Sequence, residues 1–328
     1  MKQILPKDRV YILGDAIDRG EHGLDILLDI IKRQEAHSKD PEHNPQITFL
    51  LGNHEVGLLD LRRIKKEFNL SMQDIATLKK YDRINCDMFF WNSNKTLYKK
   101  KIEEAIREMK DEDIENNVNS IKEKMKVSIF YNLVRSGEKG KNVEDELKEY
   151  MKRIRAYREN GTIDTLEKLA KLDSQKQNQI LNFLYDSNIA VSVEEKGKKY
   201  LMIHAAPLWD DNQNQPQQNN VWNQLKKYGK IEYKETGIND TWNMVGQRDH
   251  AQKGYDFANK KGYYMTICGH TPSDDGEIER GKNYIRIDGG CGHKERKNPN
   301  LVLYNLTDDK EIYIPPYSII KGQAKGGN

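Results

Sequence analysis

"KDRVYILGDAIDRGEHG" occupies residues 7–23 and runs from a short β-rich apolar stretch straight into acids, glycines and one arginine. The next stretch, "GLDILLDIIKRQ", brings Leu24, Leu27, Leu28 and Ile31 back at helical spacing, and "QITFLL" (46–51) is a second short apolar run. Strand, helix, strand in that order is a βαβ unit, which requires two parallel and therefore buried strands. The fold class is thus α/β. The C-terminal third resumes strand character in "KKYLMIHAAP", "GYYMTICGHTP", "KNYIRIDGG", "NLVLYNL" and "EIYIPP". These runs lie close together, so they are expected to pair as antiparallel hairpins.

Between these ends, residues 57–187 are strongly charged and helical in pattern. Ile102, Ile106 and Met109 recur at helical spacing, and Ile114, Val118, Ile121 and Met125 do so again. "TIDTLEKLAKL" begins with Thr162 as its expected N-cap. The Lys/Glu-rich faces read as solvated helix surface, since the apolar spacing does not persist for the heptads a coiled coil needs. This region is expected to be a helical insertion in an α/β domain made of residues 1–56 and 188–328. "SGEKGKNVED" is expected to be a loop within it, and "WDDNQNQPQQNN" (209–220) a polar, disordered stretch.

The chain of 328 residues carries 54 basic and 51 acidic side chains, a formal net charge of +3. That balance lacks the basic excess with which a dedicated nucleic-acid binder neutralises phosphates. Cys86, Cys268 and Cys291 are far apart and form no C-x-x-C, so neither a disulfide framework nor a thiolate zinc site is indicated. With no apolar run near membrane-spanning length and no signal-peptide core in "MKQILPKDR", a soluble cytoplasmic protein is expected, without a membrane partner.

Four apolar runs end in side chains able to bind a metal. "VYILGD" delivers Asp15, "FLLGNHE" Asn53 and His54, "YLMIHAAP" His204 and "MTICGHTP" His270. In α/β sheets, residues just past the carboxyl ends of strands converge on a shared crevice. Each residue alone reads equally well as a turn residue or a satisfied histidine. Together, a carboxylate, an amide oxygen and two imidazoles suit Mn²⁺, Fe²⁺ or Zn²⁺ better than Ca²⁺, which prefers oxygen shells. Transfer of a phosphoryl group also needs a cation on its non-bridging oxygens, and Arg19 offers a bidentate fork. His54 is placed to protonate a leaving alkoxide, with Asp18 holding its ring in the right tautomer.

"GDAIDRG", "GNHE", "HAAP" and "GHTP" resemble the successive signatures of the calcineurin-like metallophosphoesterases, over residues 8–56 and about 188–292. The nearest resemblance is to the bacterial and phage branch of the serine/threonine phosphoprotein phosphatases, which also includes symmetrical diadenosine tetraphosphate hydrolases. It implies a β-sandwich flanked by helices around a two-metal centre, with manganese the first expectation and iron or zinc the others. It further implies Asp15 as the bridging carboxylate, with Asn53, His204 and His270 completing one metal's shell. Arg19, and Arg248 in "DTWNMVGQRDH", are implied as phosphate ligands, and His54 with Asp18 as leaving-group acid and partner. The expected substrate is a phosphorylated protein or a small phosphoester or nucleotide, attacked by metal-bound hydroxide.

Two departures accompany the resemblance. The stretch from Glu55 to His204 is longer than the family has, which makes the insertion a candidate surface for a protein partner. The family's first signature, G-D-x-H-G, has no counterpart before Lys7: residues 1–13 contain no histidine and Asp8 as their only acid, and His22 and His37 come too late to replace it. One metal shell is therefore complete and two ligands of the other are missing. The expectations are an N-terminally truncated catalytic domain with sharply reduced turnover or, alternatively, a binding protein without activity.

Overall fold

The computed structural model describes residues 4–81, 112–136, 141–208, 216–248, 251–292 and 298–315. The chain divides into two compact units, Met1–Val56 with Leu172–Asn328, and Gly57–Lys171. Mixed α/β structure is present throughout the first unit, while the described part of the second is helical.

The first unit opens with β1 (Arg9–Ile12), α1 (Gly23–Lys39) and β2 (Gln46–Phe49). β1 and β2 pair in parallel, Arg9 opposite Gln46 through Ile12 opposite Phe49, as the βαβ pattern requires. Leu27, Ile30 and Ile31 of α1 are buried. They follow the i, i+3, i+4 stripe that puts one helix face against a sheet.

The larger sheet has six strands in the order β5-β3-β4-β6-β8-β7. They are β3 (Asn188–Glu195), β4 (Lys198–Ile203), β5 (Lys230–Glu232), β6 (Met265–Cys268), β7 (Glu279–Arg280) and β8 (Tyr284–Arg286). The expectation of antiparallel hairpins fails at its centre, where β4, β6 and β8 run parallel. Parallel neighbours need a long crossover, and the chain between β4 and β6 supplies it with helices Pro216–Tyr228, Ile238–Val245 and Ala251–Lys260. The first of these takes in "PQQNN", part of the stretch expected to be disordered; residues 209–215 lie outside the described residues. Strand β3 was not among the expected strands. It forms a hairpin with β4 through Lys196 and Gly197, both at positive φ (50° and 71°), the backbone a two-residue turn demands. β9 (Leu301–Asn305) and β10 (Lys310–Ile314) form the antiparallel hairpin anticipated for the C-terminus.

One apolar layer holds these pieces together. Val191, Val193, Tyr200, Met202, Ile267 and Ile285 come from one sheet, and they pack with Leu50 against Tyr11, Leu13, Tyr304 and Leu306. Each such side chain contributes about 1.5–3 kcal/mol when fully buried. The boundary of the insertion also moves. The helix Ser174–Asp186 belongs with the sheet-bearing unit, because Ile180, Leu181 and Leu184 are buried and the Phe183 ring packs tilted against Phe49, centroids 5.4 Å apart.

The second unit contains most of α2 (Asn53–Glu67), then α3 (Met72–Tyr81), α4 (Glu112–Ser136), α5 (Val143–Asn160) and α6 (Thr162–Ala170). Val118, Ile121 and Met125 of α4 are buried as their spacing predicts; Ile102, Ile106 and Met109 lie outside the described residues. Thr162 is not the cap of α6. Gly161, at φ 90°, ends α5 and precedes α6, a left-handed position that glycine takes without steric cost. The expected loop at 136–145 is shorter than anticipated. Asn142 caps α5 by accepting from the Asp145 amide, and 143–145 form its first turn; residues 137–140 lie outside the described residues. Among the described residues no helix is long and apolar enough to cross a membrane.

Candidate metal centre

β1 ends at Ile12, and Gly14 (φ 85°) then turns the chain so that Asp15 (φ 57°) faces the start of α2. The approach is close. A Cβ on Gly14 would sit 2.3 Å from the Gly52 amide nitrogen, and one on Gly52 would sit 2.2 Å from Asp15 Oδ1. This is the physical content of the Gly-Asp and Gly-Asn spellings: two loops meet where no side chain fits. Asp18 (φ 67°), Arg19 (φ 52°) and His270 (φ 66°) also occupy left-handed backbone. Non-glycine residues hold that conformation at a cost of about 1–3 kcal/mol each, and such positions cluster at functional sites.

Glu55 fixes the junction. Its fully buried carboxylate accepts from four backbone amides, those of Asp15 (2.8 Å), Ala16 (2.8 Å), Ile17 (3.3 Å) and Gly52 (2.9 Å). Burial, and then the Asp15 charge, push its carboxyl up from the ordinary glutamate value. Sequence reasoning assigned Glu55 no role, although it is the last letter of "GNHE". Nothing in its type or spacing shows that its partners are main-chain amides 38 to 40 residues away.

Four candidate ligands come together. His204 Nε2 lies 3.4 Å from Asp15 Oδ2, 3.1 Å from Asn53 Oδ1 and 3.2 Å from His270 Nδ1, and the last lies 2.9 Å from Asn53 Oδ1. Ligand atoms of Asp15, His204 and His270 all fall within 4.8 Å of one another. The Leu13 carbonyl, 2.6 Å from His204 Nδ1, accepts that ring's N–H. The Nε2 lone pair of neutral His204 therefore faces a carboxylate, an amide oxygen and a second imidazole. The Asp15 and Asn53 oxygens are acceptors in every state and call for a cation between them and His204, either a proton or a metal ion.

The electrostatics agree with that need. Burial opposes a charge on His204, but Asp15 outweighs it and raises the imidazole to about 9. Burial likewise opposes a charge on Asp15, yet His204 and then His54 hold its carboxyl well below the usual range. His270 moves the other way: burial, His204 and Arg248 press it down to about 3. Arg248 Nε donates to His270 Nε2 at 3.3 Å, so the arginine singled out on weak sequence grounds touches the cluster. One carboxylate, one amide oxygen and two imidazoles are a donor set that fits a borderline divalent cation. Among the described residues this is the one group of at least three His, Cys, Asp or Glu side chains able to hold an ion.

Beside the cluster, His54 Nδ1 lies 2.7 Å from Asp18 Oδ2; the two side chains are 3 % and 0 % exposed. His54 Nε2 is 3.9 Å from Asp15 Oδ2, and the His54 amide donates to Asp15 Oδ1 at 3.3 Å. Burial lowers the His54 pKa, but the bond to Asp18 and the Asp15 charge carry it above the ordinary histidine value. Arg19 is exposed on the same loop, and its charge acts on His54 against that rise. Asp8, His22 and His37 are engaged elsewhere. Asp8 accepts from the Leu5 amide at 2.7 Å, His22 pairs with Asp25 at 3.4 Å, and His37 Nδ1 lies 2.8 Å from the Asn44 carbonyl.

No protein-family model matches this sequence, and no curated protein does. Among solved structures, the chain is similar to the cold-active protein-tyrosine phosphatase of the psychrophile Shewanella sp., at a TM-score of 0.35 and 10 % identity, over 93 % of this chain and 69 % of that one. A likeness at that level decides neither fold nor activity.

Proposed function

We propose that this chain is a metal-dependent phosphoester hydrolase of the serine/threonine protein phosphatase type, cytoplasmic, with Mn²⁺ as the first candidate ion. One observation carries the reading: the candidate ligand atoms of Asp15, Asn53, His204 and His270 converge beside a buried histidine–aspartate pair. A divalent ion held by those four residues would polarise a phosphoryl oxygen and acidify a bound water.

The chain's own groups supply the rest. Arg248 contacts the cluster and Arg19 stands at its margin, and both guanidinium groups can neutralise non-bridging oxygens as charge builds on them. His54 Nδ1–H donates a hydrogen bond to Asp18, which leaves the Nε2 proton for the departing alkoxide. Burial opposes that second proton, but the bond to Asp18 and the Asp15 charge outweigh it and favour its retention. A water oxygen adds to phosphorus and gives up a proton to solvent; as the bond between phosphorus and the ester oxygen breaks, the Nε2 proton passes to that oxygen, the alcohol leaves, and His54 regains its proton from solvent. Glu55 holds Asp15 in position throughout.

The test is phosphate release from p-nitrophenyl phosphate and from a phosphoserine peptide, with and without Mn²⁺. Slow, Mn²⁺-dependent release is expected, falling about 100-fold or more in Asp15→Asn and in His54→Asn. Release that survives chelation, or that neither substitution changes, overturns the assignment.

A further inference from the structure

We propose that Tyr255 is a positioning residue for the metal centre: its hydroxyl ties together the two strand ends that carry His204 and His270, and so sets the spacing of their imidazoles. The inference rests on the reading of Asp15, Asn53, His204 and His270 as ligands. Tyr255 acts through the neighbours of two of them.

His204 follows β4 and His270 follows β6, and these strands run parallel with Met202 opposite Ile267. Beyond the paired residues the Gly269 amide donates to the His204 carbonyl at 2.8 Å. A single bond of that kind is a pivot, and a second tie at another point fixes the angle about it. The Tyr255 hydroxyl supplies the second tie. It lies 3.2 Å from the Ala205 carbonyl oxygen and 3.3 Å from Cys268 Sγ, next to His204 on one side and two residues before His270 on the other. A carbonyl only accepts, so the hydroxyl proton goes to Ala205 and its oxygen accepts from the Cys268 thiol. Ala205, Cys268 and Tyr255 are 2 %, 0 % and 3 % exposed, so water does not compete for these bonds. Removing the hydroxyl leaves the Ala205 carbonyl without this donor in a place where solvent cannot replace it.

The tyrosine is itself held. A Cβ on Gly254 would sit 2.3 Å from the Pro207 carbonyl oxygen, so the helix Ala251–Lys260 lies against the loop after His204 at a distance only glycine allows. On the other side the Tyr255 ring packs on Tyr284 of β8, centroids 4.7 Å apart, and Asp256 Oδ1 accepts from Asn283 Nδ2 at 2.6 Å. The ring buries apolar area that phenylalanine would bury equally well. Packing therefore accounts for the ring, and the two strand ends account for the hydroxyl. At the site the imidazoles stand close, with His204 Nε2 3.2 Å from His270 Nδ1 and the ring planes at 68°. An ion site tolerates about 0.2 Å of error in a ligand distance, so a slight twist between the two loops weakens binding.

The test is Tyr255→Phe in the full chain, with calorimetric Mn²⁺ affinity and the visible absorption of bound Co²⁺ as readouts. Removing a group that orients a metal ligand costs about 10–100-fold in affinity. Tyr255 acts one bond further out, so a loss of about tenfold is expected, which is ~1.4 kcal/mol, together with a shifted Co²⁺ band. Tyr284→Phe is the control, since it removes a hydroxyl that bonds Glu279 from the ring beside Tyr255. It should keep the Co²⁺ band and stay within about twofold in affinity. A hydroxyl that only held the fold together would lower the urea midpoint and leave both readouts as they were. Wild-type affinity with an unmoved band in Tyr255→Phe, or an equal loss in Tyr284→Phe, overturns the proposal. Asp15→Asn separates the two readings. If it abolishes Mn²⁺ binding and Tyr255→Phe does not weaken it, the positioning role alone falls. If it leaves the affinity unchanged, or the wild-type chain binds no Mn²⁺, the metal centre falls and this inference with it.

Discussion

Replacing Glu55 with Gln tests whether one buried carboxylate organises the centre. Oε2 accepts from Asp15 and Gly52, and Oε1 from Ala16 and Ile17. Glutamine keeps the shape and one oxygen, but turns an NH₂ group toward two of those four amides. Two charge-assisted bonds are then lost and two buried N–H groups face a donor. At about 1–3 kcal/mol for each unsatisfied group, the expected cost is ~3 kcal/mol, or about two orders of magnitude in an equilibrium constant. Where that cost appears depends on what relaxes. If the Asp15 loop stays in place, urea unfolding registers it; if the loop swings away, Mn²⁺ affinity registers it, because Asp15 leaves His204. Urea denaturation and calorimetric Mn²⁺ titration of the same preparation should therefore show losses that together reach ~3 kcal/mol. Wild-type values in both, within ~0.5 kcal/mol, would refute the role given to Glu55.

Two further outcomes follow from the ionisation of the centre. With His204 raised to about 9, the metal-free protein carries a proton there at pH 7.5, and an ion bound through Nε2 must displace it. Titrating Mn²⁺ in buffers of different ionisation enthalpy should show about one proton released per ion, and no release would contradict the ligand geometry. The same shift makes the metal-free protein pH-sensitive. A histidine raised on folding contributes its full stability below about 6.5 and loses it as pH rises through about 9. The urea midpoint without metal should fall across that window, and a flat midpoint counts against the raised value. Finally, Asp18→Asn removes the acceptor that raises His54. If His54 is the acid, the alkaline limb of kcat/KM should move to lower pH, with a larger rate loss for phenyl phosphate than for p-nitrophenyl phosphate. An unmoved limb excludes His54 from that role.

Much of the molecule was legible before any coordinates. β1, α1 and β2 follow from periodicity and order alone, because a short apolar run, an amphipathic stripe and a second run have few ways to bury themselves. Asp15, Asn53, His204 and His270 were legible as a set, since strand ends in α/β sheets converge. The pairing of the later strands was not. β4, β6 and β8 are short, and nothing local says whether a run pairs with its neighbour in sequence or across a helical crossover. Strand β3 was overlooked, although Ile189, Val191 and Val193 alternate in it. The helix Ser174–Asp186 looked like part of the insertion because helical pattern does not say which surface the apolar face meets.

By itself the sequence determined the chemical types present, the class of the fold and the positions where glycine had to stand before aspartate and asparagine. Those properties are local: backbone sterics, side-chain donors and periodicity act within a few residues. Tertiary structure alone decided that Glu55 gathers the amides of Asp15, Ala16 and Ile17, that Arg248 reaches His270, and that Tyr255 links Ala205 to Cys268. Each of those contacts joins residues whose separation along the chain carries no information about their separation in space. Only the closing of the sheets and the packing of the helices brings them within a few ångströms.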